Sequence, residues 1–290
     1  MANLKEIRTR ITSVESTMQI TSAMKMVSAA KLKRAQDAIV QMRPFAKKFN
    51  DILINVSSTL DNSDHPMMKS NKGNKILLIA LSSNRGLCGG FNNNIVKEIK
   101  KTISSNPENK YSILTVGKKV FDAFKKSDLI NNSDQLPKDT QSIWDSLNYE
   151  NSIDITNKLI SAFKNNQFDK AYIIYNSFKN AAIQTIQNEP FLPVSHPENE
   201  SSTNTDYIYE PDKEEILNDL IPQSLKIQLY KALLDSFASE HGARMTAMHK
   251  ATDNANEMKN DLKLFYNKAR QAAITNEILE IVAGAEALGG

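Results

Sequence analysis

The sequence predicts an α/β protein in which long N- and C-terminal helices pair as an antiparallel coiled coil beside a central Rossmann-like domain with a mainly parallel sheet. Three observations lead to this prediction. Apolar residues at both ends recur in steps of three and four, glycine is absent between Asn3 and Ser58, and short apolar runs alternate with helical patterns in the middle. The predicted segments are a long helix over 1–58, an α/β domain over 75–194, an acidic mobile loop over 195–215 and a long helix over 216–290.

The N-terminal helix carries an apolar row that would face a second helix, and we term such a row a seam. Its first members are Leu4, Ile7, Ile11, Val14 and Met18. The pattern then predicts a shift to a neighbouring face, through Ile20, Ala23, Val27 and Ala30, before it resumes through Ala38, Met42, Phe45, Phe49, Ile52 and Val56. Pro44 predicts a local kink in a helix roughly 80 Å long.

The middle of the chain has the alternation that is typical of a parallel sheet covered by helices. Its strongest strand is the continuously apolar KILLIAL, which reads as a buried strand. The predicted strands are Lys75–Leu81, Tyr111–Val116, Ala171–Tyr175 and Ile183–Gln187, and the predicted helices are Asn94–Thr102, Lys118–Lys126 and Ile153–Asn165.

The C-terminal helix repeats the three-and-four spacing from Leu225 to Leu288. Neither long helix can bury its apolar row alone, whereas pairing would give roughly 1.5–3 kcal/mol for each fully buried seam residue. Antiparallel pairing is expected because a compact middle segment can return the chain to its start. The preceding segment, 195–215, is acidic and rich in Ser, Asn and Thr, which predicts a mobile loop.

Composition excludes several kinds of site. Cys88 is the only cysteine, so neither an internal disulfide nor a cysteine-based metal site can form. The four histidines are widely separated, and we predict no catalytic residue, metal site or cofactor. No apolar run approaches the roughly 20 residues of a bilayer span, so a cytoplasmic protein that meets the membrane only through partners is expected.

The sequence pattern disfavours two binding functions, nucleotide binding and nucleic-acid binding. The turn SSNRGLCGG after the first strand is glycine-rich, but it lacks the lysine and spacing of a phosphate-binding loop, so a tight strand-to-helix turn is favoured over nucleotide binding. The first helix is basic, with ten basic and four acidic residues over 1–58. It lacks aromatic residues before Phe45, so an acidic protein partner is favoured over nucleic acid.

Two stretches are unusually dense in Ala, Ser, Thr and Met: ITSAMKMVSAAKLKRAQ over Ile20–Gln36 and SEHGARMTAMHKATDNAN over Ser239–Asn256. Small side chains let helices approach closely, and methionine provides an adaptable surface. A static coiled coil would favour Leu, Ile and Val instead. These stretches therefore indicate a surface that slides past several neighbours.

These stretches, with LFYNKARQAAITNEILEIVAGAEAL at the C-terminus and LSSNRGLCGGFN in the middle, resemble the gamma subunits of the F-type ATP synthase. The resemblance implies the central rotor shaft of a bacterial ATP synthase, a non-catalytic subunit that couples rotation of the membrane ring to the conformations of the catalytic subunits. The implied partners are the alpha and beta subunits, an epsilon-type subunit and the proteolipid c-ring, at the cytoplasmic face of the plasma membrane. Gln19 and Ser22 stand where the family often has lysine.

The resemblance also implies contact residues. Arg270, Gln271 and Thr275 match positions that meet a loop of the beta subunit, and Met24 matches the position facing an acidic beta segment, with Glu277 and Glu280 nearby. Arg244 matches an arginine expected to tie helices together. Ordinary coiled-coil packing is the alternative for each residue. For the whole chain the alternatives are a coiled-coil scaffold and a nucleotide-binding α/β protein.

Overall fold

The computed structural model describes residues 4–57, 66–68, 73–131, 133–194 and 213–288. Two very long helices bracket a set of alternating strands and shorter helices, as the sequence predicts. The elements are α1 Leu4–Ser57, β1 Lys75–Leu81, α2 Phe91–Ser105, β2 Lys110–Val116, α3 Lys118–Phe124, α4 Tyr149–Lys164, β3 Lys170–Phe178, β4 Gln184–Leu192 and α5 Lys213–Leu288, with a short 3-10 turn at Ser142–Trp144.

The four strands form one sheet in the order β2-β1-β3-β4. The strand β1 is parallel to both neighbours, with Leu78 opposite Ile113 on β2 and Tyr172 on β3. The strand β4 is antiparallel to β3 and closes one edge. The predicted mainly parallel sheet is confirmed, and all four predicted strands are present. The ends of β1 are as predicted, β2 and β3 are longer than predicted, and β4 begins one residue later and ends five residues later than predicted.

Both faces of the sheet are covered, which explains why β1 is apolar at every position after Lys75. On one face Ile95 and Ile99 of α2 and Val120 of α3 are buried with the side chains of Leu78 and Ala80. On the other face α4 and the first part of α5 pack against alternate residues of β1 and β3. That core includes Leu77, Ile79, Leu159, Phe163, Ile173, Leu225 and Leu229.

The helix α5 differs from the predicted C-terminal helix in where it begins and what it packs against. It starts at Lys213, so residues 213–215 of the predicted loop are helical, and it continues through Pro222. The remaining loop residues, 195–212, lie outside the described residues. Leu217, Ile221 and Leu233 are buried in the core of the sheet domain. The first turns of α5 are therefore part of the α/β domain, because their apolar residues cover the sheet.

The chain divides into two compact units, one formed by residues up to Ser28 with those from Met245 onward, the other by Ala29–Arg244. In the first unit α1 and α5 pack side by side. The hydroxyls of Thr21 and Thr252 lie 2.8 Å apart, and Lys259 Nζ lies 4.0 Å from Glu15 Oε1. On α5, Lys259 comes after Thr252, whereas on α1 its partner Glu15 comes before Thr21. The two helices are therefore antiparallel, as predicted.

The predicted shift of the α1 seam is wrong. Ile20 and Val27 are exposed at 61% and 58%, whereas Thr21 and Ser28 are buried. The seam keeps the phase set by Ile7, and Leu32, Ala35 and Ile39 are buried in the same three-and-four spacing further along α1. The polar residues Thr21 and Ser28 therefore lie in the seam.

The last turns of α1 also depart from the prediction. The helix continues through Pro44 without interruption, but Phe45 and Ile52 are 58% and 45% exposed. The seam predicted after Met42 is therefore not buried at these two positions. The phenyl rings of Phe45 and Phe49 contact each other at 6.0 Å between centroids, one helical turn apart.

Candidate functional site

The glycine-rich turn between β1 and α2 is held from inside by side chains of the α/β domain. The Asn92 side chain accepts a hydrogen bond from Ser83 N at 3.1 Å and donates one to Cys88 Sγ at 3.1 Å. The Ser83 hydroxyl donates to the Arg85 carbonyl at 2.6 Å. Leu87 has a φ of 62° and is 64% exposed, so an apolar side chain stands at the apex of a firmly held turn.

Arg244 of α5 completes the support of this turn. Its Nη2 donates to the Arg85 carbonyl at 3.1 Å and its Nε donates to the Gly86 carbonyl at 3.3 Å, while Nη1 donates to Glu240 Oε1 at 2.7 Å. Arg244 and Glu240 are both buried. Four residues separate them, so they lie on one face of the helix. The hydrogen bonds of the guanidinium join α5 to the β1–α2 turn, and a role of Arg244 in tying the long helices together stays a prediction.

The same contacts argue against nucleotide binding at the turn. A phosphate is held by backbone N–H groups that converge on it. Here the carbonyls of Arg85 and Gly86 point into the domain and accept hydrogen bonds from a cation. The Ser83 N–H is already occupied by the Asn92 side chain. The turn therefore serves as a strand-to-helix connection, the reading that the sequence favoured.

The charges around Arg244 are shifted by burial. Burial, together with the positive charges of Arg244 and Lys31, lowers the pKa of His241 to about 3. His241 is thus neutral near pH 7. Arg244 can only donate, so His241 Nδ1, 3.3 Å from Nη1, acts as the acceptor. Burial also raises the pKa of Glu240, although Arg244 opposes this by stabilising the carboxylate.

Cys88 lies beside this cluster and is buried. Burial raises the pKa of its thiol above the ordinary value, with Arg244 acting in the opposite direction. A buried thiol that is protonated near pH 7 is a poor nucleophile and a poor metal ligand. Among the described residues no group of three or more His, Cys, Asp or Glu side chains is arranged to hold a metal ion.

The predicted contact residues of the C-terminal segment all lie on the far end of α5. Arg270, Gln271, Thr275, Glu277 and Glu280 are exposed, and the Thr275 hydroxyl donates to the Gln271 carbonyl at 2.9 Å. At 100° per residue, Gln271 and Thr275 share one face while Arg270 and Glu277 share another. The five residues are therefore spread over more than one face of the helix and do not form one patch.

The helix register separates Met24 from the two acidic residues that were expected near it. Met24 is half-buried on α1, one turn beyond Thr21, which contacts Thr252. Glu277 is 25 residues beyond Thr252 on a continuous helix, so it lies roughly 40 Å along the axis from the position opposite Met24. Proximity of Met24 to Glu277 and Glu280 is therefore ruled out within this helix pair.

The far end of α5 has no neighbour on α1. Thr21 is opposite Thr252, so Leu4, the first described residue of α1, lies opposite residue 269. Of residues 270–287, all except Ala273 are exposed. This terminal segment, 270–287, exposes a set of large apolar side chains: Ile274, Ile278, Leu279, Ile281 and Val282. Apolar surface of this extent on a helix indicates an interaction site.

The three-and-four spacing predicts that Ile274, Ile278 and Ile281 belong to the buried seam, and so it misses their exposure. Their three-and-four spacing is the same as that of buried seam residues, and spacing does not reveal whether a partner helix is present. One available signal was length, because α5 has 76 residues and α1 has 54, so part of α5 must lack a partner from α1. In the described part of the chain, no helix carries an apolar stretch long enough to cross a bilayer.

Comparison with known proteins covers the whole chain. The sequence profile of the ATP synthase family matches residues 3–288. An ATP synthase gamma chain of Flavobacterium johnsoniae is 56% identical over all of both chains. The gamma chain of Cytophaga hutchinsonii is 47% identical over 99% of each chain.

Solved structures show the same fold. The central stalk of the Tetrahymena thermophila mitochondrial ATP synthase aligns with a TM-score of 0.57 and 26% identity, over 80% of this chain and 99% of that chain. A chain of the Euglena gracilis mitochondrial ATP synthase, in a structure of its F1 and c-ring, aligns with a TM-score of 0.65 and 20% identity, over 98% of this chain and 94% of that chain.

Proposed function

The chain belongs to the ATP synthase gamma-chain family, and from this premise we propose that its exposed α5 segment 270–287 is the part of a rotor that acts on catalytic subunits. As a gamma chain it is the central-stalk subunit of an ATP synthase and has no catalytic site of its own. The observation that carries the proposal is that α5 extends beyond α1 as a single helix with exposed apolar side chains.

A rotor needs a surface that several partners can contact in turn. The terminal segment presents polar groups on different faces, with Gln271 and Thr275 on one and Arg270 and Glu277 on another. A ring of alternating alpha and beta subunits around this helix would meet a different face at each position. Differential contact of this kind can shift each beta subunit toward a different conformation. Arg270, Gln271, Thr275, Glu277 and Glu280 are the residues proposed to make those contacts, and Met24 is proposed to contact the beta subunits separately, from α1.

The α/β domain is proposed as the part that connects the helix pair to the membrane sector. The sheet domain is stabilised on both faces, which suits an element that must transmit force without deforming. Its proposed partners are an epsilon-type subunit and the c-ring, and its proposed location is the cytoplasmic face of the bacterial plasma membrane. Co-fractionation with washed membranes, followed by release when the catalytic head is stripped, would test the location.

Reconstitution with the alpha, beta and epsilon-type subunits of the same bacterium, on sealed membrane vesicles that hold its membrane sector stripped of the catalytic head, tests the contact residues. Arg270→Ala and Gln271→Ala are expected to lower ion transport driven by ATP hydrolysis at least about tenfold, the equivalent of 1.4 kcal/mol of lost coupling interaction. Lys126→Ala, an exposed change on the α/β domain, serves as the matched control and should leave transport unchanged. The proposal fails if all three variants couple as well as the parent.

A further inference from the structure

The part of α1 between Met18 and Ala30 carries two competing stripes. One is polar and faces α5, with Thr21 and Ser28 buried. The other is apolar and faces away, with Ile20 and Val27 exposed at 61% and 58%. The two stripes differ by one residue, which is a rotation of about 100° around the helix axis. Within this part of α1, burial of apolar surface alone would favour the opposite arrangement, with the apolar stripe against α5.

A hydrogen bond crosses between the helices at this polar stripe. The hydroxyls of Thr21 and Thr252 are 2.8 Å apart. Each is also within hydrogen-bond distance of a carbonyl on its own helix, Met18 O at 3.1 Å for Thr21 and Met248 O at 2.8 Å for Thr252. A hydroxyl has one hydrogen, so one threonine donates across to the other helix and its partner donates to its own backbone. Both hydroxyls thus have their hydrogen-bond partners within the interface.

We propose that the Thr21–Thr252 hydrogen bond fixes the rotation of α1 about its own axis, which holds the apolar stripe of Ile20 and Val27 outward. Apolar contact has no directional preference, whereas a hydrogen bond requires one short distance and one alignment. A polar residue in the seam of a coiled coil specifies one arrangement at a cost in stability. Rotation of α1 would separate the two hydroxyls and leave both without their partner across the interface.

The contact between Lys259 and Glu15 in this unit cannot do the same. Lys259 Nζ is 4.0 Å from Glu15 Oε1, and half of the Glu15 side chain is exposed. Long, flexible side chains can keep such a distance over a range of helix rotations, and an ion pair at the surface contributes little. The short threonine side chains have no such freedom. The proposal goes beyond the rotor role and holds whether or not the chain contacts beta subunits.

Disulfide trapping in the full-length chain, in a Cys88→Ala background, distinguishes the two rotations. Met18→Cys with Ala255→Cys reports the observed seam, because both positions lie in it and are opposite each other in the Thr21–Thr252 register. Ala23→Cys with Met248→Cys reports the rotated helix, because Ala23 is exposed and belongs to the apolar stripe. Mild oxidation followed by non-reducing electrophoresis measures the yield of each cross-link.

The double variants T21A/T252A and T21S/T252S are matched in size and differ by the two hydroxyls. The serine variant should retain the parent pattern, with the Met18–Ala255 cross-link dominant. In the alanine variant we expect the ratio of the two yields to change at least about fivefold toward the Ala23–Met248 cross-link, the effect of losing one hydrogen bond. An alanine variant with the parent ratio overturns the proposal, as does loss of both cross-links. Circular dichroism confirms that each variant keeps its helices.

Discussion

At the scale of single residues, the Arg244 side chain contributes most to holding α5 against the glycine-rich turn. It is buried, and it donates to one carboxylate and two backbone carbonyls. The Glu240 carboxylate is buried and has lost its hydration in the fold. Replacement of Arg244 therefore removes a cation and leaves the buried carboxylate, the His241 Nδ1 and two carbonyls without this donor, which is more costly than loss of the same charge at the surface.

Arg244→Met should lower the free energy of unfolding by about 3–5 kcal/mol, measured by urea denaturation, because Glu240 stays buried without its cation. Lys33→Ala is the control, since the Lys33–Asp37 pair is exposed, and should cost no more than about 1 kcal/mol. Adding Glu240→Gln to Arg244→Met should recover part of the loss. Equal effects of Arg244→Met and Lys33→Ala would contradict this account.

His241 should make stability depend on pH. Its pKa is about 3 in the folded chain against 6.5 for a free side chain, so between these values the unfolded state binds a proton that the folded state does not. The contribution of neutral His241 to the free energy of unfolding is fully present above pH 6.5. It decreases as pH falls, by up to about 1.4 kcal/mol per pH unit. Urea midpoints measured from pH 7 to pH 5 test this.

The reference for that experiment is His241→Asn, which keeps an acceptor for Arg244 but cannot titrate. Glu240 has a raised pKa in the folded chain, so its effect on the free energy of unfolding is opposite in sign to that of His241: it stabilises the folded chain as pH falls. The difference between parent and His241→Asn isolates the histidine. Identical pH dependence in the two proteins would show that His241 is not the titrating group.

At the scale of elements, the two ends of α5 have opposite surroundings although their sequences share one periodicity. Leu229 and Leu233 are completely buried against the sheet. Ile278 and Ile281 are exposed at 54% and 66% because α1 does not reach them. The free chain therefore gains no stability from the apolar residues of its last turns, and those residues are available to a partner.

The double change Ile278→Ser and Ile281→Ser should alter the free energy of unfolding of the isolated chain by less than about 0.5 kcal/mol, as expected of exposed positions. Leu229→Ala, a core change on the same helix, should cost about 2–5 kcal/mol. Gel filtration with alpha and beta subunits should show weaker complex formation for the serine variant and not for Leu229→Ala at a temperature where both are folded. A strong loss of stability in the serine variant would mean that the terminal segment is packed.

At the scale of the whole molecule, the two units differ in how much apolar surface they bury. The unit of Ala29–Arg244 contains the sheet and both apolar clusters. The unit formed by the ends of α1 and α5 has a single helix-helix interface, and small and polar residues occupy part of it. Local opening free energies follow such differences in buried apolar contact.

Hydrogen exchange of the isolated chain should therefore be graded. Backbone amides of β1 and β3 should exchange most slowly, those of α1 before Ser28 faster, and those of residues 270–287 fastest, because nothing in the described chain covers that segment. In the assembled complex residues 270–287 should gain protection while the strands stay unchanged. Uniform exchange along α5 in the free chain would be inconsistent with two units of different stability.

Much of this architecture was predictable from the sequence because it follows from local periodicity. The apolar run of β1, the alternation of strands and helices, and the three-and-four spacing of both long helices each depend on residues close together in the chain. The spacing of residues in SSNRGLCGG likewise indicates a tight strand-to-helix turn. The likeness to gamma chains rested on short segments that occupy about a third of the chain, and comparison extends it to residues 3–288.

Other features depended on which surfaces meet in three dimensions. Periodicity allowed both the stripe of Ile20 and the stripe of Thr21 to be the seam, and only the position of Thr252 on the opposing helix decided between them. Spacing likewise could not show that the start of α5 packs on the sheet, that its end has no partner, or that Arg244 reaches two carbonyls far away in sequence. The sequence alone determined the elements and their apolar rows, and the tertiary structure decided what each row contacts, because burial depends on a neighbour that local pattern does not specify.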